Sequence, residues 1–125
     1  MNEPTRARIL DAAAPVFAEH GFAGASTRTL AAAAGVNIAT LAYHFGDKEG
    51  LYAAVVDRIY EQLLAVDLEL TRLPPGRADR VRAVVSNLWR IARHHRVEVR
   101  VLLRHVLDTE TWLDQRVIRN LQARA

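Results

Sequence analysis

Apolar side chains at Ile9, Leu10, Ala13 and Phe17, with His20 on the same face, recur at intervals of three and four and predict a helix over about Thr5–His20. Gly21 stops this helix, and Pro15 inside it predicts a kinked axis, because an interior proline removes a backbone hydrogen bond. After Phe22, Ser26 or Thr27 is placed to cap a short helix Arg28–Ala34, which Gly35 ends. Asn37 is the next cap candidate, opening Ile38–Phe45, and Gly46-Asp47 separates that segment from a longer helix beginning near Lys48. Leu51, Val55, Ile59, Leu63 and Val66 carry helical spacing toward Leu70, and Pro74-Pro75-Gly76 is then the clearest break in the chain. A further helix is expected over about Ala78–His95, with Val81, Val84 or Val85, Leu88, Ile91 and Ala92 facing inward. Another is expected over about Val97–Leu107, and a last amphipathic piece over about Glu110–Arg124. No strand-like alternation extends beyond a few residues, so the expected fold class is all-α. The organisation expected is a head over residues 1–50, followed over 51–125 by a linking helix and a partial helical second domain.

With half its residues hydrophobic and a quarter charged, the 125-residue chain has the composition of a globular protein able to bury a core. It contains no cysteine, which excludes disulfides, thiolate metal sites and a cysteine nucleophile. No apolar run approaches the roughly 20 residues needed to span a bilayer. The start of the chain shows no apolar stretch between a basic segment and a cleavage site. A cytoplasmic protein without a membrane span is the expectation.

Charge changes the picture less than its distribution does. The formal net charge is +3. Residues 1–50 hold Arg6, Arg8, Arg28 and Lys48 against Glu3, Asp11, Glu19, Asp47 and Glu49, a slight acidic excess. The basic excess therefore lies in residues 51–125, and a nucleic-acid role for the first segment must rest on motif and geometry.

The motif lies in residues 27–45, which combine a short helix, a tight glycine-containing turn and a second helix narrow enough to enter a major groove. Leu30, Ala33, Val36, Leu41 and Phe45 can hold the two helices together, while Ala31, Ala32 and Ala34 keep the first one slim. Asn37, Ile38, Ala39, Thr40, Tyr43 and His44 remain for the outer face. Thr, Ile and Ala can press on thymine methyls, and Thr and His can donate to base edges or phosphates.

Three runs, Thr27-Arg28-Thr29-Leu30-Ala31, Ala34-Gly35-Val36-Asn37 and Tyr43-His44-Phe45-Gly46-Asp47-Lys48-Glu49-Gly50-Leu51-Tyr52, together resemble the DNA-binding head of the TetR/AcrR family of bacterial transcriptional regulators. The resemblance spans roughly residues 5–60. It implies a DNA-binding regulator, most often a repressor, released when a small-molecule effector repositions the head through the long fourth helix. It also implies that Thr27, Tyr43, His44 and Lys48 meet phosphates while Arg28, Ile38, Ala39 and Thr40 face bases of double-stranded DNA. Lys48 would do so from the start of the fourth helix, where the helix dipole adds to its charge. Two departures stand out: Ala42 occupies a position where many family members carry an aromatic, and the family's second domain normally continues through further helices that build its dimer interface. A homodimer stands among the partners the resemblance implies, beside double-stranded DNA and a small-molecule effector, but the usual dimerisation helices are missing from the 125 residues.

Other groupings carry their own readings. Arg90, Arg93, Arg96, Arg100 and Arg104 would form one basic stripe on a continuous helix, serving as a second nucleic-acid surface, an anionic-ligand wall or a solvated face paired with neighbouring acids such as Glu98 and Asp108. His94, His95, Glu98 and His105 include metal-ligand types, but adjacent histidines point to different helix faces, and no metal or other cofactor is expected. Trp89 and Trp112, with Leu88, Leu102, Leu103 and Leu113, could line an effector pocket, form plain core or lie exposed. No Gly-rich phosphate loop, Ser-His-Asp grouping or carboxylate pair points to an enzyme. The alternative to a regulator is a helical interaction protein that pairs through Trp112, Leu113, Val117, Ile118 and Leu121 and does not bind DNA alone.

Overall fold

A computed structural model describes residues 2–66 and 74–109, and its described residues form six helices. These are α1 (Asn2–Gly24), α2 (Thr27–Ala34), α3 (Ile38–Phe45), α4 (Lys48–Val66), α5 (Arg77–His94) and α6 (Arg96–Thr109). The all-α expectation holds, and most boundaries fall within a few residues of those read from the sequence. The expected last amphipathic piece, with Trp112 and the other residues of the interaction surface there, lies outside the described residues.

The core is built from one face of each element in the first half. Ile9, Leu10, Ala13 and Phe17 of α1 meet Leu30, Ala31 and Ala34 of α2, Leu41 of α3, and Leu51, Val55, Val56 and Ile59 of α4. Val101 of α6 is buried in the same cluster, so the sixth helix closes over the head. Arg58 of α4 donates to the Ala7 carbonyl at 3.2 Å and pairs with the Asp11 carboxylate, fixing α4 along α1.

Helix α1 corrects two details. Pro15 is accommodated within it on the exposed side, and the interruption falls instead at Gly21, with φ 74° and ψ 177°. That backbone state is open to glycine and strained for other residues. His20, expected on the inner face, is exposed: it shares the phase of Ile9 and Ala13 but stands at the end of the regular helix, next to the break at Gly21. In α2 the inward alanines are Ala31 and Ala34, and Ala33 is exposed.

Helix α5 departs furthest from expectation. Val81, Val85, Leu88 and Trp89 are 57–66% exposed, and Ala92 is exposed as well. Val84 and Ile91 are half-buried and Asn87 is buried, so the inner face is centred about a quarter turn from the expected stripe at 100° per residue. The apolar band read from the sequence was wider than the area α6 covers. The single basic stripe fails for a related reason: the chain leaves helical geometry at His95, φ −125° and ψ 48°, so Arg90 and Arg93 lie on one helix and Arg96, Arg100 and Arg104 on the next.

Among the described residues no helix is long and apolar enough to cross a membrane.

Candidate nucleic-acid interface

Local chemistry accounts for the geometry of α2, the turn and α3. Ser26 adopts extended backbone and its hydroxyl accepts the Thr29 amide at 3.0 Å, starting α2. Gly35 ends the helix in the left-handed region, φ 68° and ψ 32°. There the Gly35 amide donates to Ala32 at 3.1 Å and the Val36 amide to Ala31 at 3.0 Å, which is the paired closure of a Schellman motif. Asn37 then caps α3, its Oδ1 accepting the Thr40 amide at 2.7 Å. Two residues, Val36 and Asn37, thus follow the left-handed glycine before the second helix begins.

Leu41 is the buried anchor of α3, and Phe45 packs at its end beneath the Arg6 guanidinium, 5.1 Å from the ring centroid. The opposite side is open. Ile38 is 48% exposed and Tyr43 74%, with Asn37, Ala39 and Ala42 also exposed and Thr40 and His44 half-buried. The Tyr43 ring therefore projects outward, standing edge-on to His44 at 5.1 Å between centroids. Arg28 is exposed at the start of α2, beside the half-buried Thr27. Neither α2 nor α3 carries an acidic residue in its first turn, so both N-termini are capped by neutral side chains and no carboxylate of their own first turn offsets their partial positive charge.

Of the nine residues singled out in the sequence, six (Asn37, Ile38, Ala39, Thr40, Tyr43 and His44) share this short stretch at and beyond the α3 cap. Thr27 and Arg28 sit at the start of the supporting helix. Lys48 lies apart: its Nζ donates to the Phe22 carbonyl at 2.8 Å and rests 4.3 Å from the Phe22 ring centroid. Asp47 opens α4 by accepting the Gly50 amide at 2.7 Å, and Gly50 lies so close to the Phe45 carbonyl that a side-chain carbon there would collide with it.

Sequence reasoning missed Arg6 over Phe45, Phe22 under Lys48, and the contact between Tyr52 and His105. These pairs are 26 to 53 residues apart, and periodicity within one helix carries no signal for them. His105, weighed above as a metal-ligand type, is buried against Tyr52. Among the described residues no three His, Cys, Asp or Glu side chains are gathered as a metal-binding group.

Comparison with known proteins agrees with this geometry. Residues 9–55 match the family model described as bacterial regulatory proteins, tetR family. The HTH-type transcriptional regulator UidR of Escherichia coli is 40% identical over 63 residues, half of this chain and 32% of that protein. The HTH-type transcriptional repressor AcnR of Corynebacterium glutamicum is 45% identical over 56 residues, 43% of this chain and 30% of that protein. The HTH-type transcriptional regulatory protein RaaS of Mycobacterium tuberculosis is 47% identical over 57 residues, 46% of this chain and 26% of that protein. These matches span about a third or less of the relatives' length. The structure of the ketosteroid transcriptional regulator KstR2 of Mycobacterium tuberculosis superposes with a TM-score of 0.73 at 23% identity, covering 95% of this chain and 62% of that one, a likeness of fold. Residues 9–55 of the chain are thus similar to the head described by the model of bacterial regulatory proteins, tetR family.

Proposed function

We propose that the chain is a sequence-specific DNA-binding transcriptional regulator that lays α3 in the major groove. The observation that carries this reading is the two-sided character of α3. Leu41 and Phe45 anchor one side in the head, while the other presents Ile38, Ala39, Thr40 and Tyr43. Ile38 and Ala39 supply apolar contact for thymine methyls, and Thr40 supplies a hydroxyl for a base edge or phosphate. Arg28, Tyr43, His44 and Thr27 surround them as phosphate and edge contacts, and Asn37 presents its amide beside the cap it forms. The names of the relatives support a regulator, and AcnR is named as a repressor.

Control by a small-molecule effector belongs to the same proposal. Val101, buried in the head core, and His105, against Tyr52, join α6 to α1 and α4, so a ligand favouring a different α6 position would bias the placement of α3. The exposed band Val81, Val85, Leu88 and Trp89 favours a second reading, in which α5 serves a protein interface, a homodimer included.

Titration of the chain against DNA flanking its own gene, at two salt concentrations and beside scrambled DNA, tests the leading reading. Specific binding that weakens steeply with salt, with sequence preference relaxed by Thr40→Ala, is the expected result. Equal affinity for scrambled DNA, or none, would leave the interface reading in its place.

A further inference from the structure

Helices α1, α4 and α6 meet around a cavity of about 140 Å³, and none of its described lining residues comes from α2 or α3. Its floor is apolar: Leu10, Val55 and Ile59 belong to the buried core, and Val97 lies half-buried beside them. Its polar lining is Asp11, Arg58, Gln62 and Glu98. Asp11 and Gln62 are exposed, so the cavity opens to solvent on their side.

The polar groups are unequally committed. Arg58 donates to the Ala7 carbonyl at 3.2 Å and pairs with the Asp11 carboxylate, so its charge is already answered within the protein. Glu98, half-buried in the first turn of α6, makes no ion pair or hydrogen bond through its carboxylate with another described residue. One cation thus stands against two carboxylates, and the cavity carries a net negative charge beside its apolar floor. A carboxylate partly withdrawn from water without a partner is poorly solvated, and a charge-assisted hydrogen bond from a ligand would restore what burial removes.

Size narrows the class further. The volume of about 140 Å³ is close to that of an apolar cavity, roughly 150 Å³, that takes up benzene. An anion would face Glu98 with the only lining guanidinium already paired, and a wholly apolar molecule would leave Glu98 unanswered.

We infer that this cavity is a binding site for a small organic cation, an amine or amidine on an apolar body about the size of one benzene ring. The cation sits on Glu98 and the body lies over Leu10, Val55 and Ile59. Binding here is a property of the free chain and stands whether or not α3 contacts DNA.

Benzylamine is the probe, with benzyl alcohol and benzoate as neutral and anionic molecules of similar size. Each is titrated at neutral pH into the isotopically labelled 125-residue chain and followed through backbone amide shifts. Benzylamine should saturate with a dissociation constant of about a millimolar, with the largest shifts at Leu10, Asp11, Val55, Ile59, Val97 and Glu98. Benzyl alcohol should bind about tenfold more weakly, and benzoate more weakly still. Glu98→Gln keeps the shape of the side chain and should weaken benzylamine about tenfold while leaving benzyl alcohol as it is. No benzylamine binding, equal affinity for the three probes, largest shifts elsewhere in the chain, or full benzylamine affinity in Glu98→Gln overturns the site. The three-probe comparison uses the wild type alone and decides the matter even if Glu98→Gln fails to fold.

Discussion

The hydroxyl of Tyr52 lies 3.0 Å from Nδ1 of His105, joining α4 to α6 at the edge of the aromatic cluster formed with Phe17 and Phe22. His105 is only 8% exposed, so removing the hydroxyl takes away a hydrogen bond made within the protein interior. Tyr52→Phe keeps the edge-on ring contacts and removes the hydroxyl. It is expected to lower stability by about 1–2 kcal/mol, read from the midpoint of urea unfolding. An unchanged midpoint would show that the contact contributes nothing to the docking of α6.

The turn between α2 and α3 rests on Gly35. A side-chain carbon there would meet nothing within 4 Å, so the cost of substitution is set by its φ of 68° alone. Gly35→Ala is expected to destabilise by about 1–2 kcal/mol, and Gly35→Asn by less, because asparagine tolerates the left-handed region better. Equal losses from both in denaturant unfolding would mean that something other than backbone conformation is at stake.

Gly50 poses the opposite problem. Its backbone is helical, but a side-chain carbon would strike the Phe45 carbonyl, a backbone atom that can move only with the end of α3. Gly50→Ala is expected to cost about 1–3 kcal/mol as a local overpacking and to weaken specific DNA binding in proportion to the displaced α3. Calorimetry of the free chain, with a DNA titration alongside, checks both effects. A variant of unchanged stability and affinity would contradict the close approach of the two helices.

Asn37 starts α3 through its bond to the Thr40 amide. Asn37→Ala is expected to cost about 1 kcal/mol, whereas Asn37→Asp or Asn37→Ser should retain most of the stability, since each still offers an oxygen to that amide. Thermal unfolding of the three variants would show whether the cap, as opposed to the amide group itself, matters to the fold.

Burial separates two leucines that look alike in sequence. Leu51 is fully buried and Leu88 is 57% exposed. Leu51→Ala should cost about 2–5 kcal/mol, while Leu88→Ala should stay within about 0.5 kcal/mol. A large loss from Leu88→Ala would show that the exposed band of α5 is covered in solution.

The head was legible in the sequence because its information is local. Ser26 and Asn37 announce helix starts through side-chain oxygens placed to take the amide three residues on, and Gly35 marks the end of α2 through a backbone state few other residues adopt. Ile9, Leu10, Ala13 and Phe17 show the buried face of α1 by spacing alone. The side chains that set α3 in place were not legible. Arg6 over Phe45, Lys48 on Phe22 and Tyr52 against His105 depend on how separate helices cross. The orientation of α5 escaped for another reason. Its apolar residues cover nearly half the helix circumference, and which part turns inward is decided by the neighbour, not by the pattern.

The most direct test of the central claim is a map of backbone amide shifts in the labelled chain on addition of DNA that it binds specifically. The largest changes are expected at Thr27–Arg28 and across Asn37–His44, with small changes in α5. Shifts confined to the surface around Arg93, Arg96 and Arg100, with α3 unperturbed, would contradict the assignment of α3 as the DNA-reading helix.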